Sequence, residues 1–351
     1  MGYKKYPPFE LIQEGYMRFL KTEHFEEVSP EYLVVDVKKL IFVNNEDDVL
    51  EKRQELINFI WGEERFALPD FMPAAIEKNI SDDRYSDLID LESIDKITVN
   101  MEYEINSVAY HFHPNKSNNR LIIYHQGHEG DFISGKNTIQ FFLNRGYQVM
   151  AFAMPLGGMN SKPVVWSNIM GELKLSRHDD LKFLKLGSGS PIKFFVEPIA
   201  IVLNYVEEEF DYKDTSMIGI SGGGWTTVLY SALDPRISKN YPVAGSLPIF
   251  LRDPSFEGGD YEQSLIELYK IANYLDLYIM GSYGEGRSQL QVFNQYDSCC
   301  FAGVRYRAYK DEIKNVIFNL GAGSFDVFLD DTHREHKISD AALESIIDDL
   351  E

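Results

Sequence analysis

Residues 219–223 read Gly-Ile-Ser-Gly-Gly, a spacing that sets the hydroxyl of Ser221 between glycines at the end of an apolar run. A serine so placed suits a nucleophile on a turn too tight for flanking side chains. The competing reading is a glycine-rich helix start capped by the Ser221 hydroxyl. A serine needs a base to take its proton, an acid to orient that base, and donors for the oxyanion. Two residues far downstream fit the first two needs. Asp297 closes QLQVFNQYD, and His336 lies in THREHKIS, just past SFDVFLDD. His333 competes with His336 as the base. Asp253 and Asp260 compete with Asp297 as the acid, and Asp330 and Asp331 read as solvated charges at a strand end.

Other reactive residue types offer less. His125, His128 and Glu129 crowd one loop, but no matching ligand cluster follows elsewhere in the sequence, so no metal is expected. Gly187-Ser188-Gly189-Ser190 and Gly321-Ala322-Gly323-Ser324 lack the lysine and spacing of phosphate loops and read as turns. Cys299 and Cys300 are adjacent, which disfavours a mutual bridge, and are expected as reduced, buried thiols. Trp166 and Trp225 fit either a pocket wall or an ordinary core.

The elements that must position these residues follow from periodicity. KITVNMEYE and NSVAYHFHP alternate and predict an antiparallel pair. LIIYH (121–125) is a wholly apolar strand entering the loop QGHEGD, followed by a helix near 136–145 and a strand at 147–155. That order is the βαβ rhythm of a parallel sheet covered on both faces. Residues 156–192, rich in glycine, serine and lysine, interrupt it as a lid or pocket insertion. A helix at 193–209 returns the chain to a strand in DTSMIGI. Strands at 240–248, 289–297 and 324–331 follow, then a terminal acidic helix. Ahead of this, residues 1–94 carry one predicted helix, 47–61, and read as a preamble packed on the domain formed by residues 95–351.

The order Ser, Asp, His, each at the C-terminal end of a predicted strand, is that of the α/β-hydrolases. The chain resembles that superfamily through GISGGG, QYD, HKIS and the strand LIIYHQGHEG, over residues 95–345. The resemblance implies a doubly wound, mostly parallel sheet of about eight strands, with a helical preamble before it. It also implies a cofactor-free serine hydrolase in which Ser221 attacks, His336 is the base and Asp297 orients it. Gly222 N–H would pair at the oxyanion with the N–H of His128 or, one register over, Gly127. The loop at 125–130 is similar to the family's H-G-x-x-G, with Gln126 in place of the histidine. An ester of a short acyl group, including one carried on a sugar, is the first expected substrate. A peptidase or amidase of the same fold, and a catalytically silent binding protein, are the alternatives.

Composition narrows the partners. Of 351 residues, 34 are Lys or Arg and 55 are Asp or Glu, a formal charge of −21 that repels nucleic-acid phosphates and anionic lipid heads. The first residues lack a signal-peptide apolar segment, and no apolar run is long enough to span a bilayer. With the thiols read as reduced, a cytoplasmic protein acting on a small-molecule ester is expected.

Overall fold

Leu121–Tyr124 is apolar because the sheet around it is covered on both sides, and all five residues of Leu121–His125 are buried. A computed structural model of the chain describes residues 25–62, 71–128, 130–252 and 259–351. Among these residues eleven strands form, nine of them in one sheet. In chain order they are β1 (Ala75–Glu77), β2 (Leu91–Asn100), β3 (Asn106–Pro114), β4 (Leu121–His125), β5 (Gln148–Phe152), β6 (Val164–Ser167), β7 (Gly171–Lys174), β8 (Thr215–Ile220), β9 (Ile237–Val243), β10 (Ser288–Asn294) and β11 (Ser324–Asp330). The large sheet runs β1-β2-β3-β5-β4-β8-β9-β10-β11, and the six strands from β5 to β11 are parallel. β1, β2 and β3 join it antiparallel. β6 and β7 form a separate hairpin inside residues 156–192.

Side chains alternate between two cores, one on each face. Leu121 and Ile123 of β4 enter one core; Ile122 and Tyr124 enter the other. Helices α1 (Glu46–Trp61), α2 (Lys136–Leu143), α3 (Lys193–Glu209), α4 (Gly222–Leu233), α5 (Tyr274–Ser282), α6 (Lys310–Leu320) and α7 (Asp340–Leu350) cover them. α1, α3, α4, α5 and α6 pack on the first face, α2 and α7 on the second. This is the doubly wound arrangement expected from the sequence. α1 shows how local sequence sets an end. The Asn45 side chain accepts from Asp48 N–H, three acids occupy the first turn, and Gly62 closes the helix at φ 76°.

The chain order places a topological switch between β4 and β8. After β4 the chain steps to β5 on one side, then crosses to β8 on the other. The loops leaving these two strands therefore diverge and leave a crevice at their C-terminal ends, where ligands bind in open α/β sheets. Among the described residues no helix is long and apolar enough to cross a membrane.

Two expectations need correction here. Cys299 and Cys300 are not free thiols: the loop turns back at Phe301 (φ 52°), the two sulfurs meet, and a disulfide joins them. Asp330 is not solvated; it is fully buried and accepts from the hydroxyls of Thr332 and Ser339 and from Thr332 N–H. Of the two readings left open for Trp225, the core is the one observed: its indole is wholly buried, edge-on to Phe195 with ring centroids 5.3 Å apart.

Candidate active site

Ser221 stands between β8 and α4 with φ 56° and ψ −125°, a region L-residues rarely occupy. Two hydrogen bonds hold it there: Ser221 N–H donates to Val243 O (3.0 Å), and Ser221 O accepts from Trp225 N–H (3.0 Å). The glycines nearby reflect close backbone approach. A Cβ on Gly127 would sit 2.7 Å from Ser221 Cβ and 2.9 Å from Ile220 O, and one on Gly223 would overlap His125 O. The β4 loop therefore lies directly against the serine, with no room for a side chain between them.

On the other side, the loop after β10 presents Asp297 and the loop after β11 presents His336. His336 Nδ1 lies 2.6 Å from Asp297 Oδ2, although 39 residues separate them. Asp297 is fully buried, and its second oxygen accepts from Cys299 N–H at 2.7 Å. The outer nitrogen, His336 Nε2, is buried without a hydrogen-bond partner among the described residues. His336 lines a cavity of 270 Å³ together with Ser221, Gly127 and His128. Gln126, Ser134, Asn137 and Thr138 give that cavity a polar wall.

The rival residues sit elsewhere. His333 Nε2 lies 3.1 Å from Asp330 Oδ2 and belongs to the buried Asp330 network. Asp260 Oδ2 lies 2.8 Å from His128 Nε2, so it does not face His336. Asp331 is exposed. Asp253 lies outside the described residues, as does Glu129.

The β4 loop shows what the sequence did not reveal. The ladder ends where Gln126 N–H donates to Phe152 O at 2.9 Å; beyond it Gly127 and His128 turn toward Ser221. His125 points away, its Nδ1 2.9 Å from Gln126 O, and burial lowers its pKa to about 4. His128 instead folds its ring over Gly222 and reaches Glu262 Oε1 with Nε2 at 2.9 Å. His178, from the insertion, brings Nδ1 to the same oxygen at 3.1 Å. Burial opposes charge on His128, yet the hydrogen bonds to Asp260 and Glu262 prevail and raise its pKa to about 9. Burial likewise penalises the Glu262 carboxylate, but His128 and His178 hold its pKa down at about 2. A sequence reading that sought ligands within one loop misses this cluster, because His178 and Glu262 lie 50 and 134 residues from His128. No periodic or spacing signal links them.

Beside this cluster lies a second cavity of 360 Å³, lined by His128, His178 and Asp260 and by residues 154–158. His128 thus borders both cavities. Trp166 is far from this role: it is 72% exposed on the outer hairpin.

No family model and no curated relative matches the chain by sequence. Solved structures do match in shape. Acetyl xylan esterase 1 from a Thermoanaerobacterium species is 14% identical, with 90% of this chain and 98% of that one covered at a TM-score of 0.57. An acetyl xylan esterase from a Paenibacillus species is 16% identical over the same shares, at a TM-score of 0.55. Methylesterase BT1017 is 14% identical, covering 90% of this chain and 65% of that one, with a TM-score of 0.61. At such identities the likeness speaks to architecture. With the nine-stranded sheet and its helical layers, it establishes that the chain has the α/β-hydrolase fold.

Proposed function

We propose that the protein is a serine hydrolase that cleaves a carboxylic ester of a short acyl group carried on a polar, sugar-like alcohol. One observation carries the reading: His336, held at Nδ1 by a buried aspartate and unpartnered at Nε2 among the described residues, lines the same cavity as Ser221. Ser221 Oγ attacks the ester carbonyl carbon and its proton passes to His336 Nε2. Asp297 keeps the Nδ1–H in place and stabilises the imidazolium. Gly222 N–H and the N–H of His128 or Gly127 receive the oxyanion. Collapse of the tetrahedral adduct expels the alcohol, which takes the proton from Nε2. Water then repeats the sequence on the acyl-enzyme and frees the acid.

The ester preference draws support from the fold's company, since acetyl xylan esterases and a methylesterase share this architecture. The polar wall of the 270 Å³ cavity suits a hydroxyl-rich leaving group and a small acyl chain. A fluorophosphonate probe, followed by mass-spectrometric mapping, tests the nucleophile. Modification of Ser221 in the wild type and none in Ser221→Ala is expected. An unlabelled Ser221 in folded protein, or full ester turnover by Ser221→Ala, overturns the reading. A panel of sugar acetates, simple acyl esters and peptide amides then ranks the leaving groups.

A further inference from the structure

His128, His178, Glu262 and Asp260 come from three segments and place one ligand atom each within 4.8 Å of all the others. We propose that they form a site for a divalent transition cation of the zinc class, beside the Ser221 cavity. The inference stands whether or not Ser221 is a nucleophile.

The donor chemistry is the first support. His178 Nε2 lies 3.0 Å from Pro155 O, an acceptor only, so Nε2 carries the hydrogen. In the neutral ring, Nδ1 is then a lone pair, and it faces Glu262 Oε1. A lone pair aimed at a carboxylate oxygen is repulsive unless a proton or a cation lies between them. A ligating histidine whose other ring nitrogen donates to a backbone carbonyl is the usual arrangement around a bound metal.

Glu262 is the second and independent support. It is fully buried, and its Oε2 has no hydrogen-bond partner among the described residues. Leaving a carboxylate oxygen so placed is costly, and a cation held by both oxygens satisfies it. Metal binding displaces any ring proton; with both imidazoles then neutral, Glu262 and Asp260 bring two negative charges to the cluster, which one divalent ion balances. Two nitrogens and two carboxylates suit zinc and its neighbours rather than calcium or magnesium, which favour all-oxygen shells.

Geometry agrees. Ligand atoms at about 2.0–2.1 Å from a tetrahedral zinc stand about 3.3 Å apart. The three closest contacts here, 2.8 Å, 2.9 Å and 3.1 Å, need open by only a few tenths of an ångström, and the remaining pairs, within 4.8 Å, draw in around the ion. His178 and Glu262 are buried, while Asp260 is half exposed beside the 360 Å³ cavity. Asp260 is therefore the replaceable ligand, and an oxygen of a bound molecule can take its place. The ion would tie the β4 loop, the 156–192 insertion and the Glu262 segment together.

The test uses untagged full-length protein, stripped with chelator, refilled with zinc chloride and dialysed. Elemental analysis should find one zinc per chain. Cobalt chloride in its place should give visible d–d bands from a nitrogen–oxygen site. His178→Ala and Glu262→Gln should each weaken zinc binding beyond the roughly 10–100-fold that loss of an outer partner costs. Asp260→Asn should weaken it less. Wild type that takes up neither zinc nor cobalt overturns the proposal, and needs no variant to fold. So does stoichiometric zinc that survives both substitutions, which would place it instead at another described cluster, such as Asp95, His111 and His113.

Discussion

Trp225 Nε1 donates to the Tyr269 hydroxyl at 2.7 Å, and that hydroxyl lies 3.0 Å from the backbone carbonyl of Glu262. The fourth residue after Ser221 is thereby tied to the segment that carries the buried glutamate. A double-mutant cycle with Trp225→Phe and Tyr269→Phe should return a coupling of about 1 kcal/mol in unfolding free energy. Additive effects would show that the two groups do not act together.

Asp297→Asn should leave the fold intact and reduce kcat about 10⁴-fold with little change in KM. The amide can donate to His336 Nδ1 and so stabilise the tautomer whose hydrogen sits on Nε2, where the base must be free. Steady-state kinetics on a chromogenic acetate ester measure this. Undiminished kcat would remove Asp297 from the mechanism.

Gly127→Ala forces a methyl group to within 2.7 Å of Ser221 Cβ and 3.3 Å of its Oγ unless the β4 loop retreats. Either movement displaces the reacting groups. A fall of about 100-fold in kcat/KM, with about 1–3 kcal/mol of stability lost, is expected. Parallel kinetics and urea unfolding give both numbers; wild-type values for both would mean the contact is not as tight as described.

Asp276 offers a pH signature far from the site. It is fully buried and accepts from the N–H groups of Phe42 (2.8 Å), Val43 (3.1 Å) and Asn273 (3.1 Å). Burial raises its pKa to about 6, the backbone donors offsetting only part of that cost. Because the folded value exceeds the unfolded one, the native state keeps a proton that the unfolded chain releases between about pH 4 and 6. Stability from this group is therefore full at about pH 4 and lost as pH rises through 6, by at most about 3 kcal/mol. Denaturant unfolding of wild type and Asp276→Asn at both ends of the window isolates the term. A difference between the two proteins that does not change with pH would contradict it.

Much of the sheet was legible because its signals are local. The strand at 121–125 and the helix at 193–209 have the bounds the sequence predicts, since continuous burial and a long, mostly apolar run ending in three glutamates are written in neighbouring residues. The turn at Ser221 was legible for the same reason. β1 was not: three residues are too few to show alternation. Helix α5 is buried on every side and so shows no polar face to mark it. The environments of Asp330 and of the Cys299–Cys300 pair depend on how loops close over the sheet edge, and their neighbours in sequence do not reveal that. The His128–Glu262 cluster was the least legible, because its members meet only after β4, the insertion and the 259–264 segment have packed.

The indole of Trp225 is held on two sides, by the ring of Phe195 and by the Tyr269 hydroxyl. It cannot shift without carrying one or both along. Phe195 in turn packs edge-on to His178, with ring centroids 4.9 Å apart. A single rigid side chain therefore spaces the Ser221 turn from both His178 and Glu262. The Trp225 indole is the gauge block against which the neighbouring charge cluster is set.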